Sequence, residues 1–434
     1  MADVLTFARI RPLGDAGSFL RFPTPSSIAL PSTGFGSSAP SFQFDRVFQT
    51  GATQADVFGP IAAPVERVLE GRNVALLVFG QALAGKRWTL LGDLDGSDAN
   101  LGLVPRSLAH LFRNLGCTSS HAAAEWEVRL SWVEVFGEQL FDLLADSEER
   151  QIAESAARGT HAEGLREVVV SSADEAVGWL RRGAARRQQQ ISHSIISVRF
   201  ERRLQDGSCA MGTLVALECT PSLGAAIKSL GGAESLTSHA QASSALAQTV
   251  AAVAVAGSGV GGVLEREAVS SAHRGSKLTR LLVSPGVLGG SCALVAIACA
   301  SPSKEHKDTS SACFKLVTDC ALMPNAALLN ERCTPEELQF TATALQTELG
   351  AIKQYSRIME GLLESQGIQP GGLAPPSQGL AASTLGKFSR KKKGQAEAGR
   401  AEHVPADLPP EPSAVLVSER FLLMPLQNCL LTPE

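Results

Sequence analysis

Gly80, four intervening residues, Gly85 and Lys86 give the spacing G-x-x-x-x-G-K. Such a loop turns backbone N–H groups toward a phosphate at the start of a helix, and its lysine adds a full positive charge. The next position ordinarily carries a hydroxyl that meets Mg²⁺. Here it is Arg87, which has donors only and no lone pair for a metal. Two readings stay open: a phosphate cradle, or glycines that merely serve a strand-to-helix turn. A second candidate is the triplet Arg274, Lys277 and Arg280. At a spacing of three these would share one helix face. That face is either an ordinary solvated one or a contact for an acidic partner.

The elements around the loop suit a cradle. Asn73 to Phe79 is a continuous apolar run, as expected of a strand buried on both faces. Val4 to Ile10, Glu127 to Phe136 and Ala293 to Ala300 read as further strands, and Ile195 to Leu204 and Met211 to Leu217 as a neighbouring pair. Short apolar runs alternate with helical patterns as far as about residue 320, which predicts an α/β domain with a largely parallel sheet.

Composition narrows the partners. A net charge of −4 gives no global attraction to nucleic acid or an anionic membrane, so neither partner is expected. Nine cysteines without C-x-x-C spacing argue for a reducing compartment and against a structural zinc or a disulfide framework. The N-terminus shows no export signal, and Ala245 to Leu264 reads as a helix and glycine-rich loop rather than a membrane span. Thr334, Pro335 and Glu337 form a helix-start signal. Leu338, Leu345, Ile352 and Met359 then repeat every seven residues, which predicts a helix or short coiled coil over 334–366 and a possible homodimer. From 367 to 434 a Pro/Gly/Ser-rich tail, with a basic cluster at 387–393, is expected to be disordered.

The sequence resembles the kinesin motor domain over about residues 3 to 320. FQFDRVFQTGATQADVF (Phe42 to Phe58), Arg9-Ile10-Arg11-Pro12, GLVPRSLAHLF, SWVEVFGEQLFDLL and HRGSKLTRLL match that family's motifs in that family's order. The resemblance implies a motor domain at 1–325, with a central, mostly parallel eight-stranded sheet and three helices on each face. It implies ATP held by Arg9, Pro12, Gly80, Gln81, Ala82, Leu83, Ala84, Gly85, Lys86 and Arg87, and microtubules met by Arg274, Lys277 and Arg280. A cytoplasmic, cytoskeletal location follows from the same resemblance.

The family's chemical groups are largely replaced. Where its first switch reads S-S-R-S-H, this chain has Gln189-Gln190-Ile191-Ser192-His193, in a shortened segment. Where its second switch reads D-L-A-G-S-E, the chain has Ala216-Leu217-Glu218-Cys219-Thr220-Pro221. Counting on without a gap brings Ser244-Ala245-Leu246 onto the helix motif that follows, so these are substitutions rather than misalignment. Ala216 removes the carboxylate that would hold Mg²⁺ through its waters. Cys219 replaces the glycine that senses the γ-phosphate. Ile191 and Pro221 remove both halves of the Arg–Glu bridge that closes the switches. No metal ligand is therefore expected, nor any intact catalytic set at Ser192, His193, Ala216, Cys219 and Pro221. ATP is expected to bind weakly, with hydrolysis impaired or absent. The alternatives are a slow, active microtubule motor with an unorthodox switch arrangement and a partner-binding scaffold that has lost both activities.

Overall fold

The structure is a computed structural model that describes residues 3–12, 18–31, 39–115, 125–145, 148–155, 159–187, 192–203, 209–220, 233–257, 272–283, 286–332, 349–350 and 353. The chain splits into two compact units, Met1–Thr334 with Leu426–Glu434, and Pro335–Pro425. The helix expected over 334–366 and the basic tail lie almost wholly outside the described residues, as do Ile191 and Pro221.

Eight strands carry the first unit: β1 Val4–Ile10, β2 Arg46–Phe48, β3 Val74–Gly80, β4 Glu125–Phe136, β5 Gln139–Asp142, β6 His193–Arg203, β7 Cys209–Cys219 and β8 Ala293–Ala300. They lie in the order β2-β1-β8-β3-β7-β6-β4-β5, within a sheet of eleven strands among the described residues. From β2 to β7 the neighbours are parallel. From β7 to β5 they are antiparallel. The expected eight-stranded, mostly parallel sheet thus holds approximately: along this path four neighbouring pairs are parallel and three antiparallel. β6 and β7 pair antiparallel along nearly their whole length, as strands close in sequence can.

Seven helices position the site: α1 Gln54–Glu66, α2 Lys86–Leu90, α3 Leu103–Leu115, α4 Ala173–Arg186, α5 Ala233–Gly257, α6 Lys277–Val283 and α7 Lys307–Cys320. The pleat of β3 sorts them. Val74, Leu76 and Val78 pack into one apolar cluster with Val57 and Ile61 of α1, Leu108 and Leu111 of α3, and Ala176 and Leu180 of α4. Ala75, Leu77 and Phe79 pack into a second with Leu246 and Val250 of α5, Leu278 and Leu282 of α6, and Phe314 and Val317 of α7. Burial on both faces is why the strand is apolar throughout. Removing one such side chain to alanine would cost about 2–5 kcal/mol. This three-on-three layering fixes the carboxyl ends of β1, β3 and β7 along one edge, where α/β sheets bind ligands.

Candidate nucleotide site

At that edge a cavity of about 1020 Å³ opens. It brings together Arg9, Pro12 and the run Ala82 through Arg87, with Arg187, Glu218 and Thr220 at one end. Gly80 and Gln81 stand behind its wall rather than in it. At Gly80 a Cβ would come within 2.5 Å of the Cys299 carbonyl oxygen, so glycine here is required by the approach of β8. Gly85 has φ 94°, the left-handed conformation that turns the chain into α2. Both glycines therefore have structural duties, and the loop they shape borders the cavity.

Arg9 leaves the end of β1 and is buried. Its Nη1 donates to Gln54 Oε1 at 2.8 Å and to Thr89 Oγ1 at 3.1 Å. The reciprocal Thr53–Asp56 cap that starts α1 holds Gln54, the first residue of that helix, in place. Arg9 thus ties β1 to α1 and α2, with its pKa lowered by burial. Arg11 reaches over the loop and donates to the Leu83 carbonyl at 2.5 Å. Leu83 is the one residue other than glycine with positive φ among those described, at 63°, and it is 83% exposed. A bulky side chain held in that region costs energy, and the Arg11 bond helps to hold it there.

Lys86 is buried and donates from Nζ to the carbonyl of Gln81 at 2.8 Å. Burial lowers its pKa, and the nearby Glu218 carboxylate opposes that shift. Cys219, Cys299 and Cys313 surround the same lysine, and burial raises the pKa of each thiol. Gln81 accepts from Thr309 of α7 at 2.5 Å.

The switch positions are where the structure departs most from expectation. Ala216 is a core residue, paired with Leu76 in the middle of β7 and packed in the first apolar cluster. Cys219 pairs with Phe79 and continues the strand. Its backbone is not among the positive-φ residues, so the Cβ is accommodated without strain. Ser192 and His193 are buried beneath the cavity instead of lining it. His193 stacks on His239 with ring centroids 4.2 Å apart. The pKa of His193 lies well below the ordinary value, first through burial and then through the charges of His239, Lys86 and Arg187. That of His239 is pushed down to about 4 by burial, with Lys86 acting in the same direction.

A feature absent from the sequence reading closes this end of the site. Arg187, one residue beyond α4, is buried and donates from Nε to Glu134 Oε1 at 3.0 Å and from Nη1 to Glu218 Oε2 at 2.5 Å. Its Nη2 donates to the Ser192 carbonyl at 3.1 Å and to Ser192 Oγ at 2.8 Å. Ser192 Oγ in turn donates to Glu134 at 2.5 Å. Arg87, about half exposed, approaches Glu218 at 4.0 Å. The two family positions of the Arg–Glu bridge are indeed substituted, but an Arg–Glu bridge joins the same two segments from other positions. Glu218 carried a readable signal: a carboxylate at the end of an apolar, buried strand needs a partner.

Mg²⁺ does not fit the residues present. Arg87 stands where the loop's hydroxyl ligand belongs, Ala216 offers no carboxylate, and Glu218 is engaged by two guanidinium groups. Among the described residues, no cluster of His, Cys, Asp and Glu could hold a metal. The lining is cationic on balance, as a polyanion would require: Arg9, Arg11, Lys86, Arg87 and Arg187 contribute positive charge against the carboxylate of Glu218.

The basic triplet lies elsewhere and not on one helix face. Lys277 and Arg280 belong to α6, while Arg274 sits on the turn before it. Ser276 and Thr279 exchange backbone-to-hydroxyl bonds of 3.1 Å, which start α6 afresh after Gly275. Arg274 is exposed, but Arg280 pairs with Glu154 at 2.7 Å, and the Lys277 N–H donates to Glu138 at 3.0 Å.

A family model described as the kinesin motor domain matches residues 32–319. Kinesin-related protein 5 of Dictyostelium discoideum is 28% identical over 86% of this chain and 38% of its own length. The kinesin heavy chain of Botryotinia fuckeliana is 27% identical over 86% of this chain and 42% of its own. The chain thus spans about two fifths of the curated relatives it matches. A solved structure described as that of a fast kinesin superposes with a TM-score of 0.66 at 27% identity, covering 76% of this chain and 95% of that one.

Proposed function

Because this chain belongs to the kinesin motor domain family, we propose that it is a microtubule-binding member that holds a nucleotide without turning it over by the family's usual route. One observation carries the reading. The glycines and lysine of the loop are kept beside a cavity, whereas Arg87 and Ala216 stand at the metal positions and the Arg187–Glu218 pair joins the switch segments. Phosphoryl transfer depends on positioning and on neutralising developing charge. A cradle without the metal ligands can bind, but it lacks the means to stabilise the transition state. Arg9, Pro12 and Ala82 through Arg87 hold the nucleotide in this reading, with Arg87 supplying charge that a metal would otherwise bring. Arg274, Lys277 and Arg280 meet the acidic track, and their contact is modest and salt-sensitive because Glu154 already engages one of them. A cytoskeletal location and a dimer through 334–366 belong to the same proposal.

The Arg187–Glu218 bridge favours a second reading, a slow active motor whose switches close through relocated partners. Phosphate release by the full chain with Mg-ATP, with and without microtubules, separates the two when the same samples are co-pelleted. Pelleting without stimulated release supports the first. Microtubule-stimulated release that Lys86→Ala abolishes supports the second.

A further inference from the structure

Glu218 occupies an unusual place for a carboxylate. In a phosphate loop the lysine serves the β- and γ-phosphates and the next residue serves the metal. Here Glu218 lines the cavity in the field of Lys86, with Arg187 Nη1 at 2.5 Å and Arg87 Nε at 4.0 Å. Its register explains how it gets there. Glu218 pairs with Val78 of β3, two residues before the loop begins, so β7 delivers its side chain beside Lys86 and Arg87.

We propose that Glu218 stands in for the terminal phosphate, and its partners Arg187 and Arg87 for the metal's charge, making the cavity a metal-independent site selective for nucleoside diphosphates. Resting on the nucleotide-holding reading above, this adds which nucleotide is held and which residue decides it. The cations that a third phosphate would need are already paired with a protein carboxylate, and a third phosphate would meet that carboxylate directly. Like charges so placed reject the wrong ligand. A diphosphate stops short of Glu218 and keeps Lys86, Arg9 and Arg11. Arg87, only half buried, can serve the diphosphate on one side and Glu218 on the other. Bound diphosphate would complete the charge balance with no divalent ion.

The test is equilibrium titration of the full chain with fluorescently labelled ADP and ATP, in EDTA and again in Mg²⁺. The diphosphate should bind at least about tenfold tighter than the triphosphate, and adding Mg²⁺ should not tighten it. Glu218→Gln should raise triphosphate affinity more than diphosphate affinity and so narrow the gap, with a thermal melt verifying that the variant is folded. The wild-type comparison stands even if that variant does not fold. Equal affinities, a preference for the triphosphate, or a diphosphate affinity that depends on Mg²⁺ would overturn the selectivity while leaving nucleotide holding intact. No binding of either nucleotide in either buffer would overturn both.

Discussion

Replacing Arg187 by Met tests the charge network directly. Its side chain is 2% exposed, and those of Glu134 and Glu218 beside it are 2% and 9% exposed. Met keeps most of the volume and none of the donors, so Glu218 and Glu134 lose their buried counter-charge, Glu134 keeping only the Ser192 hydroxyl, and the Ser192 carbonyl loses its bond from Arg187. Removing one partner of a buried pair costs about 3–5 kcal/mol, because the other charge stays buried without compensation. Arg87 cannot make up the loss, since it is half exposed and 4.0 Å away. Urea unfolding of the full chain should show the midpoint falling by roughly 1 M at an unchanged slope. Arg181→Met, which breaks a pair with the exposed Asp95, should cost no more than about 1 kcal/mol. Adding Glu218→Gln to Arg187→Met should recover part of the deficit, with a coupling of about 0.5–3 kcal/mol. If Arg187→Met costs less than about 1 kcal/mol, or the double variant is simply additive, the network does not hold the two segments together.

Two further outcomes follow from the same geometry. His239 titrates near 4 in the fold against 6.5 in the unfolded chain, so the unfolded state binds more protons in between. Its contribution is therefore complete above pH 6.5 and is lost as pH falls toward 4, to a limit of about 3 kcal/mol. His239→Phe keeps a ring against His193 and should flatten that slope in chemical unfolding; an unchanged slope would remove His239 from the account. On the track-binding side, Glu154→Gln releases Arg280 from its pair and should strengthen microtubule co-pelleting about two- to fivefold at low salt, with the gain fading as salt is added. Weaker pelleting would mean that Arg280 needs Glu154 to present it.

The three apolar strands and the loop were legible because each depends on local pattern. β1 and β8 run over the residues that their apolar stretches predict, and β3 falls within one residue of its own. The glycines of the loop announce a turn whatever their second use. What stayed hidden depends on pairing across distance. Arg187 and Glu218 are 31 residues apart, and each lies in a segment where the family's own residues draw attention to what is missing. The basic triplet misled for a local reason: three-residue spacing suggested one helix, while Gly275 and the Ser276 cap divide it. The antiparallel half of the sheet was readable as a strand pair, but the order of strands beyond it is set by packing, not by any stretch of sequence.

The thiols beside Lys86 give the site a chemical silence. A cysteine reacts as thiolate and only where reagent can reach it. Cys219, Cys299 and Cys313 are fully enclosed, and burial holds each in the protonated form. Alkylation at any of them then proceeds only from states in which β7, β8 or α7 has parted from its neighbours. The wall of the cavity carries its own clock: the rate at which these sulfurs are modified counts how often the strands and helix behind it come apart, and a ligand that seals the edge would slow it without touching a single thiol.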